Sequence, residues 1–203
     1  MIYSNIDSHL RKPMKFINKS TLEINRELSD LDRFALDFIT ILEKHTTYVI
    51  VSGYVSILLG RSRVSEDIDV IIPKLTLPTL KKLIQDLNEN DFYCINEEKI
   101  QDIYECLTEG LAVRFAKQHT MIPNIELKWA QTPVHKIALK EALTVILPEK
   151  NIRISNLELQ IAFKEQILKS PKDKEDARHL RKTAEKFLDK KLIQTYKEML
   201  RDV

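Results

Sequence analysis

Apolar residues recur along this chain at two spacings, and each spacing predicts a different kind of element. Apolar residues three and four positions apart, as after Ser29 and Thr76, predict amphipathic helices. Short runs rich in β-branched residues predict strands. The predicted helices are 29–45, 54–59, 76–88, 97–107 and a short one from Pro133. The predicted strands are 48–51, 66–72, 92–95, 111–116, 124–129, 143–147 and 152–154.

The pattern becomes purely helical from Ser155 onward. Ser155 and Glu158 have the spacing of a capping box, as do Ser29 and Asp32 near the first helix. The helix from Ser155 should reach the break at Ser170-Pro171. Two further helices are predicted at 177–188 and 192–200.

These patterns divide the chain into three parts. Residues 1–28 form an N-terminal arm of uncertain structure, in which 14–17 fit either a short strand or a docked segment. Residues 29–150 alternate strands and helices, and residues 151–203 are mainly helical. We therefore predict an α+β (α/β) fold, with a small mixed β-sheet flanked by helices and a helical C-terminal subdomain.

Composition limits the classes of function. The 32 basic and 30 acidic residues give a net charge of +2, so the chain lacks the excess positive charge of a general nucleic-acid binder, although a local basic patch stays open. No window approaches the roughly 18 apolar residues of a transmembrane helix, and the start lacks a signal-peptide core, so we predict a cytoplasmic protein without membrane contact. Cys94 and Cys106 are predicted to be free thiols, and the histidines show no metal-ligand spacing.

A candidate site lies in Tyr48–Ile72, where a small-residue turn precedes two carboxylates. Asp67 and Asp69 lie on one predicted strand, so both side chains leave the same face, with their Cα atoms roughly 7 Å apart. Two carboxylates on one face repel each other unless a cation neutralises them, and such carboxylates bind Mg²⁺ in phosphoryl-transfer sites. The Ser52-Gly53 turn can bring backbone N–H groups close to a triphosphate.

This arrangement resembles the polymerase-β-like nucleotidyltransferase superfamily. Its members carry a small-residue pair followed, on the next strand, by an Asp-apolar-Asp motif, for which this chain offers Ser52-Gly53 and Asp67-Ile68-Asp69. The flanking residues are most similar to small stand-alone prokaryotic members, which include minimal nucleotidyltransferases and AbiEii-type toxins. Ser52 departs from the glycine that is more usual at the first position.

The resemblance implies a nucleotidyltransferase fold and transfer of a nucleoside monophosphate from an NTP to an acceptor, with release of pyrophosphate. It implies two Mg²⁺ ions, or Mn²⁺ in their place, held by Asp67, Asp69 and a third carboxylate. Glu126 is the matching third position and would help to activate the acceptor; alternatively, it is a strand residue paired with Lys128. The implied nucleotide-binding residues are Ser52, Gly53, Arg61, Arg63 and Lys164.

Several of these positions also have plain structural interpretations. Arg61 and Arg63 fit a solvated loop, and Lys164 fits the surface of an amphipathic helix. The stretch Lys172–Asp176 resembles a Lys/Arg-Asp-x-x-Asp motif of AbiEii-like relatives, but it also fits a charged helix start. Trp129 could stack on a base, although a core tryptophan is the simpler interpretation.

Three functions stay open from the sequence. The first is a metal-dependent nucleotidyltransferase acting on an RNA, protein or small-molecule acceptor. The second is an AbiEii-type toxin that uses the same chemistry on tRNA and has an antitoxin partner. The third is a catalytically silent protein of this fold that binds a nucleotide or a partner. The carboxylate set argues against the third function, whereas Ser52 leaves it open.

Overall fold

The computed structural model describes residues 14–202, and strands in that range form one mixed sheet of nine strands. The strands are β1 (Met14–Asn18), β2 (Thr21–Ile24), β3 (Val49–Val51), β4 (Asp67–Ile72), β5 (Phe92–Cys94), β6 (Val113–Lys117), β7 (Asn124–Trp129), β8 (Leu143–Ile146) and β9 (Asn151–Ile154). Their order across the sheet is β1-β2-β8-β9-β3-β4-β7-β6-β5. The predicted mixed sheet is confirmed, and it has more strands than the sequence indicated.

The centre of the sheet is formed by β3, β4 and β7. Strand β4 runs antiparallel to β3 and parallel to β7. Their β-branched residues Ile50, Ile68 and Ile125 are fully buried, which explains why these short apolar runs form strands. The register pairs Asp69 with Val51 on one side and with Glu126 on the other. Carboxylates from distant segments of the chain therefore lie side by side.

Helices flank this sheet, as the sequence predicted. The helices are α1 (Asp30–Leu42), α2 (Gly53–Leu58), α3 (Leu77–Glu89), α4 (Ile100–Thr108), α5 (Pro133–Lys140), α6 (Leu157–Phe163), α7 (Pro171–Thr183) and α8 (Lys190–Met199). A π-helical turn, Lys164–Leu168, extends α6, and a 3-10 turn, Leu200–Asp202, follows α8. The predicted capping box of Ser29 and Asp32 is present at the start of α1. Between residues 14 and 202, no helix has both the length and the apolar character to cross a membrane.

An N-terminal hairpin of β1 and β2 forms one edge of the sheet. The sequence predicted at most a short strand at 14–17 and gave no indication of β2. Strand β2 pairs in parallel with β8, and the ring of Phe16 stacks on Phe187 with a centroid separation of 4.3 Å. The hairpin thus joins the sheet to the C-terminal helices. The remainder of the predicted arm, residues 1–13, lies outside the described residues.

The predicted capping box at Ser155 is wrong. The Ser155 N–H donates to the carbonyl of Ile50 at 2.8 Å, so Ser155 still belongs to the sheet. The chain leaves the sheet one residue later, and the Asn156 side chain accepts from the N–H of Leu159 to cap α6. Glu158, the expected partner, instead accepts from the backbone of another loop.

Two other helix starts also differ from the prediction. The helix predicted from Glu97 begins at Ile100, and the helix predicted from Ala177 begins at Pro171. The Ser170 side chain caps the latter helix by accepting a hydrogen bond from the N–H of Asp173. From the sequence, Ser170-Pro171 was predicted only as a break between helices. Since β9 lies between β8 and β3, the sheet continues past residue 150. The three-part division of the chain stays a prediction.

Candidate active site

The turn between β3 and α2 has a backbone conformation that normally requires glycine. Ser52 has φ 63° and ψ −132°, and its N–H donates to Oε1 of Gln160 at 3.0 Å. Gly53 begins α2, and a Cβ added there would lie 2.8 Å from Nη2 of Arg63. Gly53 therefore allows the Arg63 guanidinium to lie directly against the turn, which brings one predicted cation to the predicted phosphate-binding segment.

Three carboxylates lie on neighbouring strands beside this turn. Asp67 and Asp69 alternate along β4, and Glu126 is the register partner of Asp69 on β7. Burial raises the pKa of Asp69 to about 6, and the negative charges of Glu126 and Asp67 add to the rise. The positive charge of Lys128 and a hydrogen bond from the Ser52 side chain partly oppose it. Asp69 thus lies at the centre of the predicted acidic cluster.

Glu126 is bound by two cations in this structure. Its Oε1 accepts hydrogen bonds from Nε and Nη2 of Arg114 at 2.8 and 2.5 Å. Its Oε2 lies 3.6 Å from Nζ of Lys128. The pairing with Lys128 that the sequence suggested as an alternative is therefore present. It does not remove Glu126 from the site, because the same carboxylate influences the pKa of Asp69.

A buried cation cluster, consisting of Arg61, Arg63 and Lys164, surrounds the carboxylate of Asp176. Asp176 is fully buried, and its Oδ2 accepts from Nη1 of Arg63 at 2.6 Å and from Nζ of Lys164 at 2.8 Å. Arg61 also pairs with Asp176 and donates to the carbonyl of Lys172 at 3.1 Å. Only 1% of Lys164 is exposed, so the surface-helix interpretation of this residue is wrong. The solvated-loop interpretation of Arg61 and Arg63 is also wrong.

The charges of the acidic cluster affect the pKa values of Lys164 and Arg63 in the cation cluster. Burial lowers the pKa of Lys164, and the charge of Asp173 is the largest opposing cause; Asp69 also raises it. Burial and the charge of Arg61 lower the pKa of Arg63, whereas Asp173, Asp67 and Asp69 raise it. Most residues predicted from two distant parts of the sequence therefore meet in one site.

A cleft of about 320 Å³ opens beside the acidic cluster. Its lining residues are Val64, Ser65, Glu66, Asp67, Arg114, Asn124, Glu126 and Lys172. Asn124 is the register partner of Asp67, and its buried Oδ1 has no hydrogen-bond partner among the residues that the structure describes. The cleft thus combines carboxylate and amide oxygens with two cations.

The oxygen atoms around this cleft suit a hard divalent cation. Carboxylates and amide oxygens are the ligands that Mg²⁺ prefers, and the unpaired Oδ1 of Asn124 is available in the same region. Within residues 14–201, however, no group of three or more His, Cys, Asp or Glu side chains converges closely enough to hold a metal ion. Arg114 and Lys128 hold Glu126 in its present position, so a three-carboxylate site requires their rearrangement.

The sequence analysis missed Arg114 as a residue of this site. Arg114 reaches Glu126 only through the pairing of β6 with β7, which no local pattern reveals. Lys128 was named only as a structural partner of Glu126, and Asp176 only as part of the charged stretch Lys172–Asp176. Trp129 is buried in the core with an edge-on contact to Tyr104, as the simpler interpretation predicted. Both cysteines are free.

Comparison with known proteins supports the fold. No family model matches this chain, and no curated protein matches it significantly. The structure is similar to the crystal structure of an antigenic nucleotidyltransferase-like protein from Paracoccidioides brasiliensis, with a TM-score of 0.51 and 16% sequence identity. The match covers 86% of this chain and 89% of the other. The chain therefore has a fold similar to that of a nucleotidyltransferase-like protein.

Proposed function

We propose that this protein is a metal-dependent nucleotidyltransferase that transfers a nucleoside monophosphate from an NTP to an acceptor. The observation that carries the proposal is the side-by-side position of Asp69 and Glu126 on β4 and β7, with Asp67 on the same strand as Asp69. The proximity of Arg63 and Lys164 supports it, because transfer from a triphosphate requires positive charge near the acidic cluster. The similar fold of a nucleotidyltransferase-like protein also supports this class of reaction.

In the proposed reaction, an acceptor oxygen forms a bond to the α-phosphorus of the NTP. The bond from that phosphorus to the bridging oxygen breaks, pyrophosphate leaves with the electron pair, and the acceptor proton passes to a carboxylate of the site. Mg²⁺ bound by Asp67, Asp69 and Glu126 would supply neutralising charge for the triphosphate. The N–H groups near Ser52-Gly53 and the guanidinium of Arg63 would orient the phosphates.

The buried cations would act mainly through their electric field. Lys164 is too deeply buried to contact a nucleotide in this conformation, but it lies close enough to Asp69 for the Asp69 charge to raise the pKa of Lys164. In a region of low polarity, such a charge is effective over several ångströms. We therefore assign Lys164 a supporting role beneath the phosphate-binding turn, and Arg61 the same role through Asp176.

The direct test is transfer of label from each α-³²P-labelled NTP to total RNA and to total protein in the presence of Mg²⁺ or Mn²⁺. Asp67→Asn and Asp69→Asn should each abolish the transfer. Asp37→Asn is the matched control, because Asp37 is an exposed carboxylate that pairs loosely with Lys117. Transfer that persists in both site variants would overturn the assignment. Nucleotide binding without any transfer would instead favour the silent binding protein.

A toxin of the AbiEii type is a second form of the same proposal. It is favoured by the convergence of Lys164, Asp173 and Asp176 beside the acidic cluster, because these residues belong to the tail motif that resembles AbiEii-like relatives. The acceptor would then be tRNA, and an antitoxin would be the partner. Expression should arrest bacterial growth, and Asp69→Asn should abolish the arrest. Normal growth with active protein would contradict the toxin form.

A further inference from the structure

Arg114 lies where the cleft is open to solvent, and its pairing with Glu126 uses only Nε and Nη2 of the guanidinium. The Arg114 side chain is 54% exposed, whereas that of Glu126 is 11% exposed. Both hydrogen bonds, from Nε and Nη2, go to the same oxygen of Glu126. A guanidinium can bind two oxygens of one planar anion with two parallel hydrogen bonds, which is a stronger arrangement than this one. Arg114 is therefore placed to accept a better anionic partner.

The backbone holds Arg114 at this position independently of Glu126. The Arg114 N–H donates to Oδ1 of Asn96 at 2.8 Å, and Arg114 is the register partner of Glu126 in the β6–β7 pair. Lys172 lines the same cleft and contributes a second cation. An anion bound in the cleft would thus meet a cation held by a strand and another at the start of a helix.

The oxygen of Glu126 that accepts both hydrogen bonds from Arg114 cannot bind a divalent cation equally well at the same time. If the proposed function is correct, binding of the divalent cation competes with Arg114 for the Glu126 carboxylate. Release of Arg114 frees the guanidinium to bind another anion with two parallel hydrogen bonds, and that anion would replace the charge interaction that Glu126 now supplies. Binding of the cation and binding of an anion at Arg114 should therefore favour each other.

We propose that Arg114 is the anion-binding residue of an acceptor subsite, and that Glu126 takes the place of the acceptor's anionic group in the structure described. This inference rests on the proposed function and names a property of its acceptor. The acceptor carries a phosphate or a carboxylate close to the group that receives the nucleotide. In this proposal Arg114 also has a second effect: it weakens the binding of the divalent cation until that anion binds.

The test measures Mn²⁺ affinity by isothermal titration calorimetry in the presence of a non-hydrolysable NTP analogue. Arg114→Gln should bind Mn²⁺ roughly three- to ten-fold more tightly than the wild-type protein, because the competing guanidinium is gone. Arg33→Gln is the matched control, since Arg33 is 51% exposed, pairs with Glu149 and does not line the cleft. It should leave the Mn²⁺ affinity unchanged.

A second arm identifies the anion. Inorganic phosphate and acetate are added in turn at millimolar concentration. The anion that resembles the acceptor's charged group should tighten Mn²⁺ binding several-fold in the wild-type protein and have no effect in Arg114→Gln. Nitrate serves as the salt control. Equal Mn²⁺ affinity of the wild-type protein and Arg114→Gln, or equal anion effects in both, would overturn the inference.

The same measurements distinguish failure of the proposed function from failure of the Arg114 proposal. If Asp67→Asn and Asp69→Asn bind Mn²⁺ as the wild-type protein does, the cation is bound elsewhere and both proposals fail. If those variants lose Mn²⁺ binding while Arg114→Gln behaves as the wild-type protein, only the Arg114 proposal fails. Transfer assays with phosphorylated and unphosphorylated forms of one acceptor should then show no preference.

Discussion

At the scale of single residues, the site contains groups that are unfavourable for folding and useful for phosphate chemistry. Ser52 adopts a left-handed conformation with positive φ, which costs about 1–3 kcal/mol for a residue other than glycine. Asp69 is a carboxylate with a raised pKa and no strong cation of its own among the described ion pairs. Natural sites often retain such residues because function needs them.

The strain at Ser52 gives the first prediction. Ser52→Gly should raise the free energy of unfolding by about 1 kcal/mol, because the relief of strain exceeds the extra entropy of glycine in the unfolded chain. Urea denaturation measures this change. Ser52→Ala is the control, since it removes the hydroxyl but keeps the strained backbone, and it should not stabilise the protein. A stabilising alanine together with a neutral glycine would show that the backbone at Ser52 is unstrained.

The raised pKa of Asp69 gives a prediction about pH. The folded protein holds the Asp69 proton more tightly than the unfolded chain does, so this group's contribution to stability is lost as pH rises from about 4 to about 6. Without divalent cations, Asp69→Asn should therefore be more stable than the wild-type protein by about 1–3 kcal/mol at pH 8. The gain should vanish at about pH 3 and below, where the aspartate is protonated in both the folded and the unfolded state. Thermal unfolding in EDTA at several pH values measures it, and a pH-independent gain would contradict the explanation.

At the scale of elements, α7 is attached to the site through Asp176. The π-helical turn Lys164–Leu168 and α7 bring Lys164, Asp173 and Asp176 together, while Arg61 and Arg63 arrive from the link before β4. Asp176 is the only carboxylate in this cluster that is fully buried. Removal of its charge would leave three cations close to one another in a region of low polarity.

Asp176→Asn should therefore lower the free energy of unfolding by about 3–5 kcal/mol. Asp173→Asn should cost about 1 kcal/mol or less, because Asp173 is partly exposed and lies 3.4 Å from Lys164. Urea denaturation of both variants tests the difference. Similar losses in the two variants would mean that Asp176 is not the main partner of the cluster.

The elements also show what the sequence could and could not predict. The motif on β4 and the turn at Ser52 were recognisable because their residues are adjacent or nearly adjacent in the chain. Glu126 was proposed because the family resemblance implies a third carboxylate on a later strand, and the β4–β7 register places it beside Asp69. Arg114 was missed because its role depends on the pairing of β6 with β7, and strand register is not visible in one segment alone. The capping error at Ser155 arose in the same way, since the hydrogen bond to Ile50 is non-local.

At the scale of the whole molecule, the N-terminal hairpin contacts the C-terminal helical part of the described chain. The N-terminal hairpin lies at one end of the sheet, and the stacked rings of Phe16 and Phe187 connect it to the segment between α7 and α8. Phe187 is 43% exposed, so this contact covers only part of the ring. The connection was not predictable from the sequence, because β1 and β2 are short and the alternation of Leu22 and Ile24 with polar residues spans only four positions.

A double-mutant cycle on Phe16→Ala and Phe187→Ala should give a coupling energy of about 0.5–1.5 kcal/mol, the usual contribution of a stacked aromatic pair. Chemical denaturation of the single and double variants measures it. Ile17→Ala, at a half-exposed neighbouring position of β1, is the control and should show no coupling with Phe187→Ala. Additive losses at Phe16 and Phe187 would show that the hairpin and the helices are independent.

The strand order has a consequence for the way the protein folds. Strand β9 lies between β8 and β3, and β2 pairs with β8. Strands that are more than 100 residues apart in the sequence are therefore neighbours in the sheet. Such long-range pairings must overcome the entropy of closing large loops, which slows folding. During synthesis, the emerging chain cannot complete the sheet until residue 154 has left the ribosome, and Lys164 and Asp176 follow later still. We therefore expect the proposed activity to arise only after Asp176 has emerged, so that a shorter polypeptide cannot modify its surroundings while it is being made.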